Sequence, residues 1–454
     1  MTIPGQDMDV QTFFNRNRFS GMQWLTFALC FLVVLLDGFD TAAIGYIAPS
    51  LIKEWGVTKP ALAPVLSAAL FGLAAGALLA GPLADRLGRK RVLTGSVLLF
   101  GVACLVSAYS RDLTELSVLR FITGVGLGAA MPTAVTLTSE YCPEQRRSLL
   151  TNAMFCGFPL GAAFGGFLAS WMIPHWGWRS VLELGGYVPL ALGVLMLVLL
   201  PESVRYLIAR NAPVERVQAI LRRVSASADQ VRRFVLSETR PDAGARNGLG
   251  VVFSPEYRVG TLMLWVGYFM GLVVFYALIN WMPVLFAEVG LAPQKATLIA
   301  ALFPLGGVGA VFFGWLMDRF NANRIIALGY ALTAVSIYAI GQAAGNVGTL
   351  VVVVFVAGTI MNTAQSSMPA LAAAFYPTSG RATGVSWMLG VGRLGGIAGS
   401  FLVAQLSALH LGFSQIFAVV AVPGLIAMAA LLIKQASHPD GGGGPSVRGG
   451  VSAH

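Results

Sequence analysis

Two aspartates, Asp37 and Asp40, stand three residues apart in Leu36-Asp37-Gly38-Phe39-Asp40-Thr41-Ala42, inside an otherwise apolar run. An ionisable side chain at the centre of a bilayer span costs about 2.5–3.5 kcal/mol on the insertion scale, so it is kept where it meets a partner or a water-filled cavity. Spacing i, i+3 puts both carboxyls on one helix face. Like charges that close disfavour double ionisation, so at least one carboxyl is expected to hold a proton, as a proton carrier does. Two arginines lie in similar surroundings: Arg120, opening Arg120-Phe-Ile-Thr123-Gly124-Val-Gly126-Leu-Gly128, and Arg393. Asp40 and Arg120 lie about eight and seven residues from the outer ends of their apolar runs, about 10–12 Å deep in a helix. Arg120 is therefore expected to pair with Asp37, Asp40 or the carboxylate of a ligand, and Arg393 is the second candidate for anion binding. Glu140 adjoins Arg146 and Arg147 and reads as a gate ion pair or a further proton step. The histidines, His175, His410, His438 and His454, all fall near span ends or in the tail, so no histidine relay is expected.

These groups need a membrane to make sense of them. Only 11% of the 454 residues are charged and 56% are hydrophobic, with a mean hydropathy of +0.74. A soluble chain carries about a quarter charged residues. So much apolar surface must be covered by lipid, and the fold class is all-α integral membrane. Runs of about 20 apolar residues place spans near 22–47, 60–83, 92–110, 113–139, 149–172 and 180–200. Six more lie near 259–287, 296–317, 323–344, 348–375, 382–409 and 413–434. The expected organisation is thus a cytoplasmic segment 1–21, a six-helix half 22–200, a cytoplasmic loop 201–258, a second six-helix half 259–434 and a disordered tail 435–454. The polar start and the length of the first apolar run argue against a cleavable signal peptide.

With the N-terminus inside, 23 of the 30 basic residues fall in cytoplasmic segments, and five (Lys53, Lys59, Arg111, Arg179, Lys295) fall outside. That asymmetry places both termini in the cytoplasm. The net charge of +10 is then a topology signal, and nucleic acid is excluded as a partner. Cys30, Cys104, Cys142 and Cys156 have no metal-ligand or disulfide spacing and read as small buried hydrophobes; no metal or cofactor is expected.

The two halves resemble each other. Gly81-Pro-Leu-Ala-Asp85-Arg86 recurs as Gly314-Trp-Leu-Met-Asp318-Arg319, 233 residues on. Met131-Pro132, with Tyr141, Pro143 and Arg146, recurs as Met368-Pro369, Tyr376-Pro377 and Arg381. Six-span repeats in one orientation are the build of transporters that rock two halves around a central site. Between spans 2 and 3 the loop continues as Leu-Gly88-Arg89-Lys90-Arg91. Here Gly81 and Gly88 allow close approach and a tight reversal, Asp85 caps or pairs with charges at helix ends, and the basic cluster meets the anionic leaflet. Gly124, Gly126 and Gly128 sit in mid-span with no preceding strand, which fails the context of a dinucleotide site and leaves close helix packing.

The loop resembles the signature of the major facilitator superfamily, and the Arg120 segment resembles its second signature. Pro201-Glu202-Ser203-Val204-Arg205-Tyr206-Leu207 also resembles a family element. The span-1 Asp-Gly-Phe-Asp element, with Gly128-Ala-Ala-Met-Pro132, Ser139-Glu140-Tyr141-Cys142-Pro143 and Met154-Phe155-Cys156-Gly157, resembles the aromatic acid:proton symporters. The resemblance implies a non-enzymatic multi-pass protein of the bacterial inner membrane, importing compounds such as 4-hydroxybenzoate, protocatechuate, benzoate or gallate with protons. It implies roles for Asp37, Asp40, Arg120, Glu140 and Asp85. By the same likeness Asp85, Arg86 and Arg89 form a gate, with Asp318 and Arg319 as its weaker copy. Substrate-ring contacts are expected from Tyr276, Asn280, Asn362, Gln365, Phe155 and Phe158 beside Arg120 or Arg393. The expected partners are an aromatic carboxylate, protons and membrane lipid, with the chain acting as a monomer. The alternative is an importer of another organic acid or a sugar.

Overall fold

The computed structural model describes residues 7–236, 248–309 and 320–438. A short strand β1 (Asp7–Asp9) and helix α1 (Val10–Arg16) precede the long helices α2 (Gly21–Trp55), α3 (Lys59–Leu87), α4 (Arg89–Ser107) and α5 (Leu113–Tyr141). Next come α6 (Glu144–Phe155), α7 (Gly157–Trp176) and α8 (Arg179–Leu199). The connecting region holds α9 (Val204–Ala209), α10 (Val214–Leu221), β2 (Arg233–Val235) and α11 (Gly248–Val252). The second half follows as α12 (Arg258–Glu288), α13 (Pro293–Leu305), α14 (Ala322–Gln342), α15 (Val347–Phe375), α16 (Thr378–Ala408) and α17 (Phe413–Ser437). Eleven spans among the described residues are long and apolar enough to cross a membrane. The remaining expected span, 296–317, begins as α13 and a 3-10 turn over Gly306–Gly309; its end, with Asp318 and Arg319, lies outside the described residues.

Local chemistry sets where these helices start and stop. Ser20 caps α2 through a reciprocal box with Gln23: the Gln23 N–H donates to Ser20 Oγ (3.3 Å) and the Ser20 N–H to Gln23 Oε1 (2.8 Å). Gly56, in the left-handed region at φ +63°, ends it. Asp112 caps α5 and Asn346 caps α15 by accepting backbone N–H bonds. Gly124 and Gly128 of α5 lie against the α3 backbone at Ala69 and Leu73, the close packing expected of them.

The structure corrects the sequence reading on the cytoplasmic side. Span 1 continues as helix to Trp55, and parts of the expected cytoplasmic segment 1–21 and loop 201–258 are folded together. Strand β1 pairs in parallel with β2, Asp7 opposite Arg233 and Asp9 opposite Val235. Val10, Phe13 and Phe14 are buried, Phe13 edge-on to Phe234 (5.3 Å between centroids) and Phe14 against Tyr141 (5.7 Å). Burial of these side chains holds a cap that two three-residue strands could not hold alone.

Two cores result. The larger joins the halves, and its members from the N-terminal half, among them Ile44, Ile47, Leu62, Leu66, Leu116 and Val181, all come from the outer parts of their helices. The cytoplasmic parts of that half, with Val97, Leu137 and Met196, form a second core with the cap that contains no residue of the C-terminal half. Among the described residues the halves therefore pack together on the outer side and share no core on the inner side, an inward-facing arrangement.

Candidate functional site

Arg120 and Asp40 form a buried bidentate pair. The guanidinium donates from Nη1 to Asp40 Oδ1 (2.8 Å) and from Nη2 to Oδ2 (2.7 Å), and Nη2 also reaches the Asp40 carbonyl (3.2 Å). Neither side chain is more than 1% exposed. The Cys104 thiol donates to the same Oδ1 at 3.3 Å. Of the partners open to Arg120, the structure selects Asp40, and it leaves Arg120 no face towards a ligand in this conformation.

Asp37 is different. It is also buried, yet its one hydrogen bond among the described residues is a 3.5 Å contact from Thr41 Oγ1. Arg393 of α16 is within electrostatic reach of Asp37, and of Tyr268 and Tyr276 on α12. No ion pair within 4 Å and no hydrogen bond holds Arg393 among the described residues, and its side chain is partly exposed. The centre of the molecule thus has one carboxylate locked to an arginine and one carboxyl within electrostatic reach of a second arginine that holds no ion pair among the described residues.

The expected wall residues divide. Tyr276 lies beside Arg393 and stands edge-on to Phe275 (5.2 Å). Phe158, partly buried, faces Phe275 across the two halves at 6.3 Å. Gln365 accepts from the Tyr330 hydroxyl (2.6 Å) and donates to the Tyr268 carbonyl (3.4 Å). Asn362 donates to the carbonyls of Phe303 (3.0 Å) and Gly358 (2.7 Å). Asn280 is buried and donates to Ser400 (2.9 Å), tying α12 to α16, so it is a packing residue here. Phe155, 41% exposed at the end of α6, stands apart from the cluster.

The gate residues gather at the cytoplasmic end. Arg89 bridges Asp85 (3.0 Å) and Glu140 (3.4 Å), and Glu140 also accepts from the Ser203 hydroxyl. The backbone carbonyls of Asp85 and Arg86 accept from Arg210 (3.0 and 3.4 Å), and that of Arg86 also from the Tyr206 hydroxyl (3.1 Å). These side chains border a cavity of about 290 Å³. Glu140 is 20 residues from Arg120 on α5, about 30 Å along the axis. It is thus separated from Asp37 and Asp40 and lies in the cytoplasmic cluster with the expected gate residues Asp85 and Arg89. Gly88 has φ +103°, and a Cβ there would strike the Glu202 carboxylate, so glycine is required. At Gly81 a Cβ would meet nothing within 4 Å, so the close approach expected there is not made in this conformation.

Comparison with known proteins settles the family. The family model described as Major Facilitator Superfamily matches residues 30–308 and again 264–452. The chain belongs to the Major Facilitator Superfamily. Within it, the chain is 50% identical over 437 residues to the 4-hydroxybenzoate transporter PcaK of Pseudomonas aeruginosa, covering 96% of this chain and 98% of that one. It is 47% identical over 428 residues to a gallate transporter of Pseudomonas putida, covering 94% of each. These relatives bear out the resemblance to aromatic acid transporters. Among solved structures, a bacterial homolog to the human lysosomal transporter Spinster, inward-facing and unoccupied, superposes with a TM-score of 0.72 at 15% identity, covering 94% of this chain and 99% of that one. That likeness shows the shared fold.

This major facilitator, a multi-pass protein of the inner membrane, also uses residues the sequence did not single out. Gln11 accepts from Arg147 (2.6 Å) and Arg205 (3.0 Å), and Glu202 accepts from the Lys90 and Ser203 backbone N–H groups (3.0 and 2.9 Å). Tyr268 sits beside Arg393. The Pro201–Leu207 element pointed to the region of Glu202 and Ser203. No sequence signal distinguished Tyr268 from the other aromatics of its span.

Proposed function

We propose that this chain imports small aromatic carboxylates of the hydroxybenzoate, protocatechuate and benzoate class by proton symport with alternating access, as a monomer in lipid. The halves 22–200 and 259–434 are its rocking units. The observation that carries the reading is Arg393: a partly exposed cation without an ion pair among the described residues, within electrostatic reach of the buried carboxyl of Asp37. The names of the relatives support the class of substrate.

The chemistry of coupling follows from one arginine with two claimants. When Asp37 is ionised, it competes with the substrate carboxylate for the field of Arg393. When Asp37 carries a proton, Arg393 is free to bind the substrate. Substrate and proton therefore load together, and by linkage each tightens the other. Binding strengthens as pH falls, because acid populates the protonated form. A negative interior opposes influx of a lone anion by about 2.3 kcal/mol per 100 mV, and one proton cancels that charge. Asp40 and Arg120 hold α2 to α5 and set the depth of Asp37. Arg89, Asp85 and Glu140 form the cytoplasmic latch.

The test is uptake of radiolabelled 4-hydroxybenzoate into proteoliposomes, with and without an inward proton gradient, for wild type and Asp37→Asn. Gradient-driven uptake in wild type and loss of both the gradient response and the pH dependence of binding in Asp37→Asn are expected. A variant that still concentrates substrate on a proton gradient would remove Asp37 from the carrier role.

A further inference from the structure

Arg393 of α16 is within electrostatic reach of two phenols of α12. Tyr268 and Tyr276 are eight residues apart on α12, about 12 Å along its axis. Each ring is seated on a glycine of α16, Tyr268 on Gly392 and Tyr276 on Gly396, where any Cβ would collide with it. Arg393 follows the first of these glycines and is within electrostatic reach of both phenols. All three side chains are partly exposed.

The two ends of this slot differ. The Tyr276 end is walled by Phe275, itself against Phe158 and Phe303, on the side where the halves are packed together. The Tyr268 end lies towards the cytoplasmic end of α12, with Gln365 against it. Beside it Gln365 has only one orientation that suits both neighbours. The Tyr268 carbonyl can only accept, so Nε2 faces it, and Oε1 then accepts from the buried Tyr330 hydroxyl. A benzene ring anchored by its carboxylate on Arg393 points towards one phenol or the other.

We propose that Tyr268 is the specificity-determining residue that reads the ring substituent opposite the carboxylate, with the ring pointing from Arg393 towards the cytoplasmic end of α12. A hydroxyl there exchanges hydrogen bonds with the Tyr268 phenol, while the Tyr276 end is closed by Phe275, Phe158 and Phe303. Gln365 and Tyr330 position the backbone that carries Tyr268. The assignment rests on the reading of the substrate as an aromatic carboxylate.

Equilibrium binding of 4-hydroxybenzoate and of benzoate to the purified full-length protein tests it, in wild type, Tyr268→Phe, Tyr276→Phe and Gly392→Ala. Tyr268→Phe is expected to lower the preference for the hydroxylated acid by about tenfold, the worth of one lost hydrogen bond. Gly392→Ala, which lifts the Tyr268 ring from its seat, is expected to do the same, and Tyr276→Phe to shift both ligands alike. An unchanged preference in Tyr268→Phe, or a loss confined to Tyr276→Phe, would overturn the assignment. Wild-type protein that binds both acids equally overturns it while leaving the substrate class intact, and wild-type protein that binds neither overturns both.

Discussion

Asp37 and Asp40 lie on one face of one helix, but their surroundings give them opposite work. Asp40 is neutralised by two short bonds from a fully buried guanidinium, so its charge is part of the scaffold. Removing one member of such a pair strands the other in a low dielectric and costs about 3–5 kcal/mol. Asp40→Asn should therefore lower thermal stability in detergent sharply, and Asp40→Asn with Arg120→Met should recover part of the loss, since no lone charge remains. Equal melting of the single and double variants would mean that the pair is not what the single change breaks. Asp37→Asn, which strands no hydrogen-bonded partner, should melt near wild type. Depth along the spans was enough to bring Arg120 to this pair of aspartates. It could not say which one, because i, i+3 neighbours differ by a modest rotation that only the packed helix decides. Tyr268 was invisible for a related reason: a span that is apolar all round has no polar face to reveal which side meets the cavity.

The loop between spans 2 and 3 shows what a short element must satisfy at once. Gly88 ends α3 and starts α4 at φ +103°, ψ 150°, a region open in practice only to glycine, and the Glu202 carboxylate sits where a side chain would be. From there Glu202 accepts from the Lys90 N–H in the first turn of α4, where a negative charge also suits the helix dipole. Gly88→Ala should cost about 1–3 kcal/mol in backbone strain and displace Glu202 from that position. The expected result is faster proteolysis within 201–236 and reduced uptake, with Gly81→Ala as the control for proteolysis, since its Cβ enters open space in this conformation. Equal protease resistance in both variants would dissociate Gly88 from the cap. The motif was legible because its residue types carry their own physics. The cap was not. Its strands are three residues long, and its apolar contacts, Phe13 with Phe234 and Phe14 with Tyr141, join segments far apart in sequence. No window of composition sees such pairs.

At the scale of the molecule, the question is what holds the outer side shut. Among the described residues one ion pair crosses the halves there, Lys59 with Glu288, but both side chains are partly exposed and such pairs are worth about 0–1 kcal/mol. The apolar closure is larger. Gly45 of α2 lies against the backbone of α12, where a Cβ would stand 2.5 Å from the Ile279 carbonyl oxygen and 3.0 Å from Asn280 Cα. Backbone cannot swing aside as a long side chain does, so any bulk at position 45 props the halves apart. Breaking the ion pair should change the balance of states by at most about fivefold, within the range of an exposed pair. Gly45→Leu should hold the outer side open and stop the cycle in a protein that still folds. Spin labels at Trp176 and Leu409, exposed at outer helix ends of opposite halves, report this directly. Their separation should lengthen in Gly45→Leu and barely move in Glu288→Gln, and uptake should fail in the first and persist in the second. If instead Glu288→Gln opens the outer side and Gly45→Leu does not, closure is electrostatic and the packed glycine contact is incidental to it.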